Sequence, residues 1–136
     1  MRSTGHRVLV LGFALLTTSL GLAQDDLAAR VKKAQDAAHA NAASAEGGEW
    51  MKQNTFAIDR LMVLILNRCL PDPPDDDIPT AFSVYLRLSK PGRVLEIVTE
   101  LDASLGKCMT AAAKETPFPE APRDDYWIER NLAAPL

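Results

Sequence analysis

From Phe82 the chain alternates between apolar and polar positions. Phe82, Val84, Leu86 and Leu88 fall on one side, and Ser83, Tyr85, Arg87 and Ser89 on the other. A period of two marks a half-buried β-strand. Lys90-Pro91-Gly92-Arg93 follows, with Pro at the second and Gly at the third position of a predicted reversal. The chain then resumes as Val94–Glu100, where Leu95, Ile97 and Thr99 share a side opposite Glu96 and Glu100, and Val98 interrupts the polar side. This pattern predicts a β-hairpin.

Beyond it the period lengthens to that of a helix. Leu101, Leu105, Cys108 and Ala112 recur at spacings of four, three and four, predicting one helical face laid on the sheet, with Asp102 or Ser104 as cap. Thr116-Pro117-Phe118-Pro119 ends this helix, since proline disfavours helix before it and donates no hydrogen bond. Pro117, Pro119 and Pro122 then predict an extended crossing into a last strand over Asp125–Arg130. Tyr126 and Ile128 face one way there and Trp127 the other.

Upstream, Trp50–Leu70 reads as a helix with its main stripe at Ile58, Leu61, Met62, Ile65 and Cys69. Val63, Leu64 and Leu66 widen the stripe beyond one face, so this helix requires cover on more than one side. Residues 24–48 are Ala-rich, with Leu27, Val31, Ala34, Ala38 and Ala42 along a thin face. A weakly packed N-terminal helix or spacer, ended by Gly47-Gly48, is the preferred reading over a partner-binding arm.

The chain start changes the picture. Arg2 and Arg7 precede a short apolar core, Val8–Leu16, and Gly21-Leu22-Ala23 supplies small residues for cleavage. Residues 1–23 read as a secretory signal, too short in its apolar run for a good membrane span. Removing Arg2 and Arg7 leaves 13 basic against 18 acidic side chains, a net charge of −5. That balance disfavours nucleic acid and anionic membrane surfaces as partners. The chain has two cysteines, Cys69 and Cys108. In an exported protein such a pair reads as a structural disulfide rather than free buried thiols.

The Pro-rich stretch Leu70–Pro79 carries Asp72, Asp75, Asp76 and Asp77. It lacks the placed glycine and bidentate glutamate of a known calcium loop, so a solvated acidic loop is expected and no metal or cofactor. There is no G-x-S-x-G, no P-loop and no nucleophile paired with a base, so no catalytic residues are expected and the chain is not read as an enzyme.

Asn67-Arg68-Cys69, the Phe82–Leu88 strand, Gly92-Arg93-Val94, Ser104 with Cys108, and Phe118-Pro119-Glu120-Ala121-Pro122 together resemble the TonB C-terminal-domain superfamily, in its two-cysteine variants. The resemblance covers Ile58 to Leu132. It implies an α+β fold, a small antiparallel sheet packed by two helices in the order α-β-β-α-β, over residues 49–136, with the Ala-rich helix in addition. It also implies binding through a lent strand edge. The cleaved signal and the missing Pro-rich spacer depart from the energy transducers of that family. The expectation is a periplasmic or secreted interaction module with a protein partner in the cell envelope and no stable membrane insertion. Tyr126, Trp127 and Ile128 are its candidate contact residues. The alternative is a small inhibitor or immunity-type protein that blocks an enzyme or toxin with Asp75, Asp76 and Asp77.

Overall fold

The computed structural model describes residues 19–70 and 81–133. Residues 1–18 of the expected signal segment 1–23, and the acidic loop with Asp72, Asp75, Asp76 and Asp77, lie outside the described residues. The elements are α1 (Ser19–Ala43), α2 (Ala45–Cys69), β1 (Ala81–Leu88), β2 (Val94–Thr99), α3 (Ala103–Ala113) and β3 (Tyr126–Ala133). The three strands form one antiparallel sheet in the order β2-β1-β3. The fold is α+β, as expected.

The central strand β1 has its expected face in the core. Phe82, Val84, Leu86 and Leu88 are buried with Ile97 of β2 and Tyr126, Ile128 and Leu132 of β3. Ile58, Met62, Ile65 and Leu66 of α2 and Met109 and Ala113 of α3 close over them. Cys69 and Cys108 join the two helices, with Cα atoms 5.8 Å apart and sulfurs at bonding distance. That separation lies within the range a disulfide spans.

Three local expectations are corrected. The hydrogen-bonded turn is Ser89–Gly92, one residue earlier than predicted, with the Gly92 amide donating to Ser89 at 3.0 Å. Gly92 takes φ +89°, which L-residues seldom adopt. In β2 the register slips between Arg87 and Leu88, which pair with Glu96 and Val94. Leu95 is therefore the extra residue of a bulge; Val94 enters the core in its place and Leu95 is exposed. On α3 the sheet-facing residues are Gly106, Met109 and Ala113, while Leu101, Leu105 and Ala112 border the core and Cys108 is exposed. The helix is turned because Gly106 lies against the backbone of β2, where a Cβ would stand 3.0 Å from the Ile97 oxygen.

The N-terminal helix packs by its expected face as far as Ala38 and departs from expectation beyond it. Ala34 and Ala38 of α1 are buried against Tyr85 on the second face of the sheet, with Val31 and Trp127 beside them. Tyr85, which the alternation placed on the polar side, is thus covered. Ala42 is exposed and Asn41 is buried instead. Gly47-Gly48 do not end α1. Ser44 breaks the chain between the helices and caps α2 by accepting from the Gly47 amide at 3.0 Å. Gly47 is needed there for space: a Cβ would collide with the Asn41 carbonyl and stand 2.6 Å from the Tyr126 hydroxyl.

The Pro-rich segment straps the hairpin. Phe118 and Ala121 are buried, their amides donate to Gly92 and Lys90 at 3.0 and 2.9 Å, and Asp124 accepts from the Lys90 amide at 2.7 Å. Trp50 donates from Nε1 to the Glu120 carbonyl at 2.7 Å and meets Tyr126 edge-on at 5.4 Å.

Candidate partner-binding surface

A sheet of three strands has two edges, and an edge exposes unpaired N–H and C=O groups to any extended chain that meets it. The two edges here are treated differently. At β2 the Ile97 amide donates to Thr110 Oγ1 of α3 at 2.9 Å, and that hydroxyl donates to Gly106 at 2.8 Å. The Thr110 oxygen also lies 3.4 Å from the Ile97 carbonyl. One helix side chain therefore sits where a strand would have to pair.

At β3 the Trp127 carbonyl accepts from Asn41 Nδ2 at 2.9 Å, so it points away from β1. In an antiparallel strand the direction of the backbone groups alternates with each residue. Those of Glu129 and Asn131 therefore also point outward. Among the described residues no backbone hydrogen bond from elsewhere meets them. The corner between α1 and α2 closes the start of this edge at Asn41, and among the described residues no hydrogen bond closes it farther on.

Side chains on both flanks hold this edge in place. On the α2 side Arg130 makes two hydrogen bonds to Asp59, at 2.7 and 2.8 Å. On the α1 side Glu129 lies 2.6 Å from His39 Nε2 and accepts from the Tyr85 hydroxyl at 3.3 Å, and Ser83 donates to Asn131 at 2.7 Å. Burial, and then the Glu129 carboxylate, raise the Tyr85 phenol above its ordinary value. Burial does the same to Tyr126.

The three aromatic and aliphatic candidates of β3 divide by face. Tyr126 and Ile128 are in the core, because alternate residues of the strand face α2, so neither side chain is presented to a partner. Trp127 is half-buried, with the Arg87 guanidinium 5.9 Å from its ring. The structure brings the outward backbone of Glu129 and Asn131 to the surface in their stead. The sequence holds a signal for neither Thr110 nor the Asp59–Arg130 pair, whose members lie 71 residues apart. The surplus apolar residues of α2 did carry a signal: Leu64 is 58% exposed, and Phe56 on the same helix is 76% exposed.

A cleft between α1 and the sheet is lined by Arg30, Lys33, Arg87, Glu96, Asp125 and Trp127. Its charges largely close on one another, with Arg30 2.6 Å from Glu96 and Arg87 2.8 Å from Asp125. Among the described residues no cluster of three or more His, Cys, Asp or Glu is placed to hold a metal ion, and no helix is long and apolar enough to cross a membrane. Comparison of the chain with protein-family models, curated proteins and solved structures finds no match.

Proposed function

We propose that this protein is an exported, non-catalytic interaction module that pairs the open edge of β3 with an extended segment of a cell-envelope protein. The observation that carries this reading is the asymmetry of the sheet: Thr110 occupies the edge of β2, while among the described residues no hydrogen bond takes up the outward groups of Glu129 and Asn131. Strand addition supplies main-chain hydrogen bonds for affinity and alternate side chains for specificity. The Cys69–Cys108 bridge suits an oxidising compartment, and the resemblance to the TonB C-terminal-domain superfamily points to the same mode of binding.

Asn131→Pro tests the reading. Proline removes the outward N–H without entering the β1 ladder and is tolerated on edge strands. Affinity purification of the exported chain from its native envelope, with cross-linking, is expected to yield a partner that Asn131→Pro loses and Asn131→Ala keeps. Equal capture by the proline variant overturns the edge. The exported chain is expected to begin at Gln24 by intact mass, and recovery of the uncleaved chain in the membrane fraction overturns export.

A further inference from the structure

The bridge between α2 and α3 has two unequal ends. Cys69 closes the last turn of α2, and its neighbours one turn back on that helix are Ile65 and Leu66, both buried. Cys108 stands in the middle of α3. Its neighbours on one side of the helix, Ser104 and Ala111, are small and exposed. Those on the other side, Leu105 and Ala112, pack against the core. Cys108 is accordingly exposed and Cys69 half-buried. The bridge crosses the rim of the core, with one end backed by buried side chains and the other bordered by water.

We infer that Cys108 is a thiol–disulfide exchange site, at which a dithiol reductant opens the bridge while the domain is folded. A thiolate of the reductant attacks Cys108 Sγ and forms a sulfur–sulfur bond to it. The Cys69–Cys108 bond breaks, and its electron pair leaves on Cys69, which then takes a proton. The second thiol of the reductant, as thiolate, displaces Cys108 from the mixed disulfide. Two electrons pass to the protein, and the reductant departs as its own disulfide.

The choice of sulfur follows from access, which is one of the factors that set the rate of exchange. Ile65 and Leu66 cover Cys69 from the side of its own helix, whereas Ser104 and Ala111 leave a flank of Cys108 open. The buried residues of α3, Gly106, Met109 and Ala113, lie on another face of the helix than Ser104, Cys108 and Ala111. Their contacts need not break before a thiolate arrives. A reductant that waited for unfolding would act at a rate set by the stability of the domain. One that attacks at Cys108 acts at a rate set by its own concentration, so the thiol balance of the surroundings reaches the folded domain directly. This inference stands apart from the strand-pairing reading.

The test uses the chain with its disulfide formed and dithiothreitol as the dithiol, in urea below the unfolding transition. The rate is expected to be proportional to dithiothreitol and flat within about two-fold per molar urea, since attack exposes little new surface. Reduction through unfolding would instead rise about five-fold or more per molar urea, and that slope overturns the inference. Glutathione, a monothiol, reads which sulfur is attacked. After an early acid quench and alkylation, peptide masses are expected to place glutathione on Cys108 and the alkyl group on Cys69. Glutathione on Cys69, or shared equally between the two, overturns the assignment to Cys108.

Discussion

On one face of the sheet Phe82, Val84, Leu86 and Leu88 meet α2 and α3 through buried aliphatic side chains and a disulfide. On the other, Tyr85 and Trp127 meet α1 through Ala34, Ala38 and Val31, and polar contacts border them: Arg30 to Glu96, His39 to Glu129, Asn41 to the Trp127 carbonyl. The first face draws its strength from area removed from water and the second from a close but thin fit. Changes at the core face are therefore expected to act on the whole domain, and changes at the α1 face to act locally. α1 also closes the start of the β3 edge through Asn41, so the weaker face is the one that borders the proposed binding surface.

The largest expected effect is reduction of Cys69–Cys108. The bridge closes a loop of 39 residues, which on the chain-entropy model is worth about 4 kcal/mol. For a small domain that is a large share of total stability. Reduction or Cys108→Ser should lower the Tm steeply by circular dichroism; a Tm unchanged on reduction would remove the bridge from the account of the core face. Leu86→Ala comes next. Leu86 is fully buried at the centre of β1, and its truncation should cost about 2–5 kcal/mol by denaturant unfolding.

Base should distinguish the faces by order of release. The two tyrosines of the chain, Tyr85 under α1 and Tyr126 in the core, both have phenols raised by burial. Below the ordinary tyrosine value near pH 10 the stability this represents is fully present. Above it the unfolded chain loses protons that the folded chain still holds, so stability falls as pH rises toward the folded values. If α1 opens before the core, absorbance at 295 nm, with Tyr85→Phe to separate the two, shows Tyr85 ionising first, although Glu129 beside Tyr85 and Arg123 beside Tyr126 favour the opposite order in the intact fold. Simultaneous ionisation in a single unfolding step would mean that α1 is no weaker than the core face.

The same contrast explains what could be read in advance. The alternation Phe82–Leu88 shows because each inward residue is large and apolar, and the stripe Ile58–Met62–Ile65 shows for the same reason. The face of α1 was legible at Val31, Ala34 and Ala38, but its partner was not, since the value of the alanines lies in letting the helix approach Tyr85 closely. Asn41, which no apolar pattern marks, is buried through its bond to Trp127. The bulge at Leu95 shifts a register by one residue, and nothing in an apolar run fixes where such a slip falls. The open edge itself is a property of backbone groups, so no side-chain pattern encodes it. The surplus on α2 was legible as a need for cover, and Phe56 and Leu64 are where that cover is missing.

The smallest expected effect concerns the ion pairs of α1. Arg30 and Glu96 stand 2.6 Å apart, but their side chains keep 45% and 27% of their exposure, so water and salt screen the pair. A double-mutant cycle with Arg30→Ala and Glu96→Ala should give a coupling of about 0.2–1 kcal/mol, falling further in high salt. Glu96 also lies 3.4 Å from Arg87 Nε, and Arg87 turns to Asp125, so Glu96→Ala alone should cost more than Arg30→Ala alone. α1 would then be held chiefly by Ala34 and Ala38 against Tyr85, and Ala38→Asp should release it where Arg30→Ala does not. Hydrogen exchange at the amides of α1 reads this directly. Fast exchange in Ala38→Asp with α2 still protected is the expected result, and equal loss of protection in α2 would join the two faces into one cooperative unit.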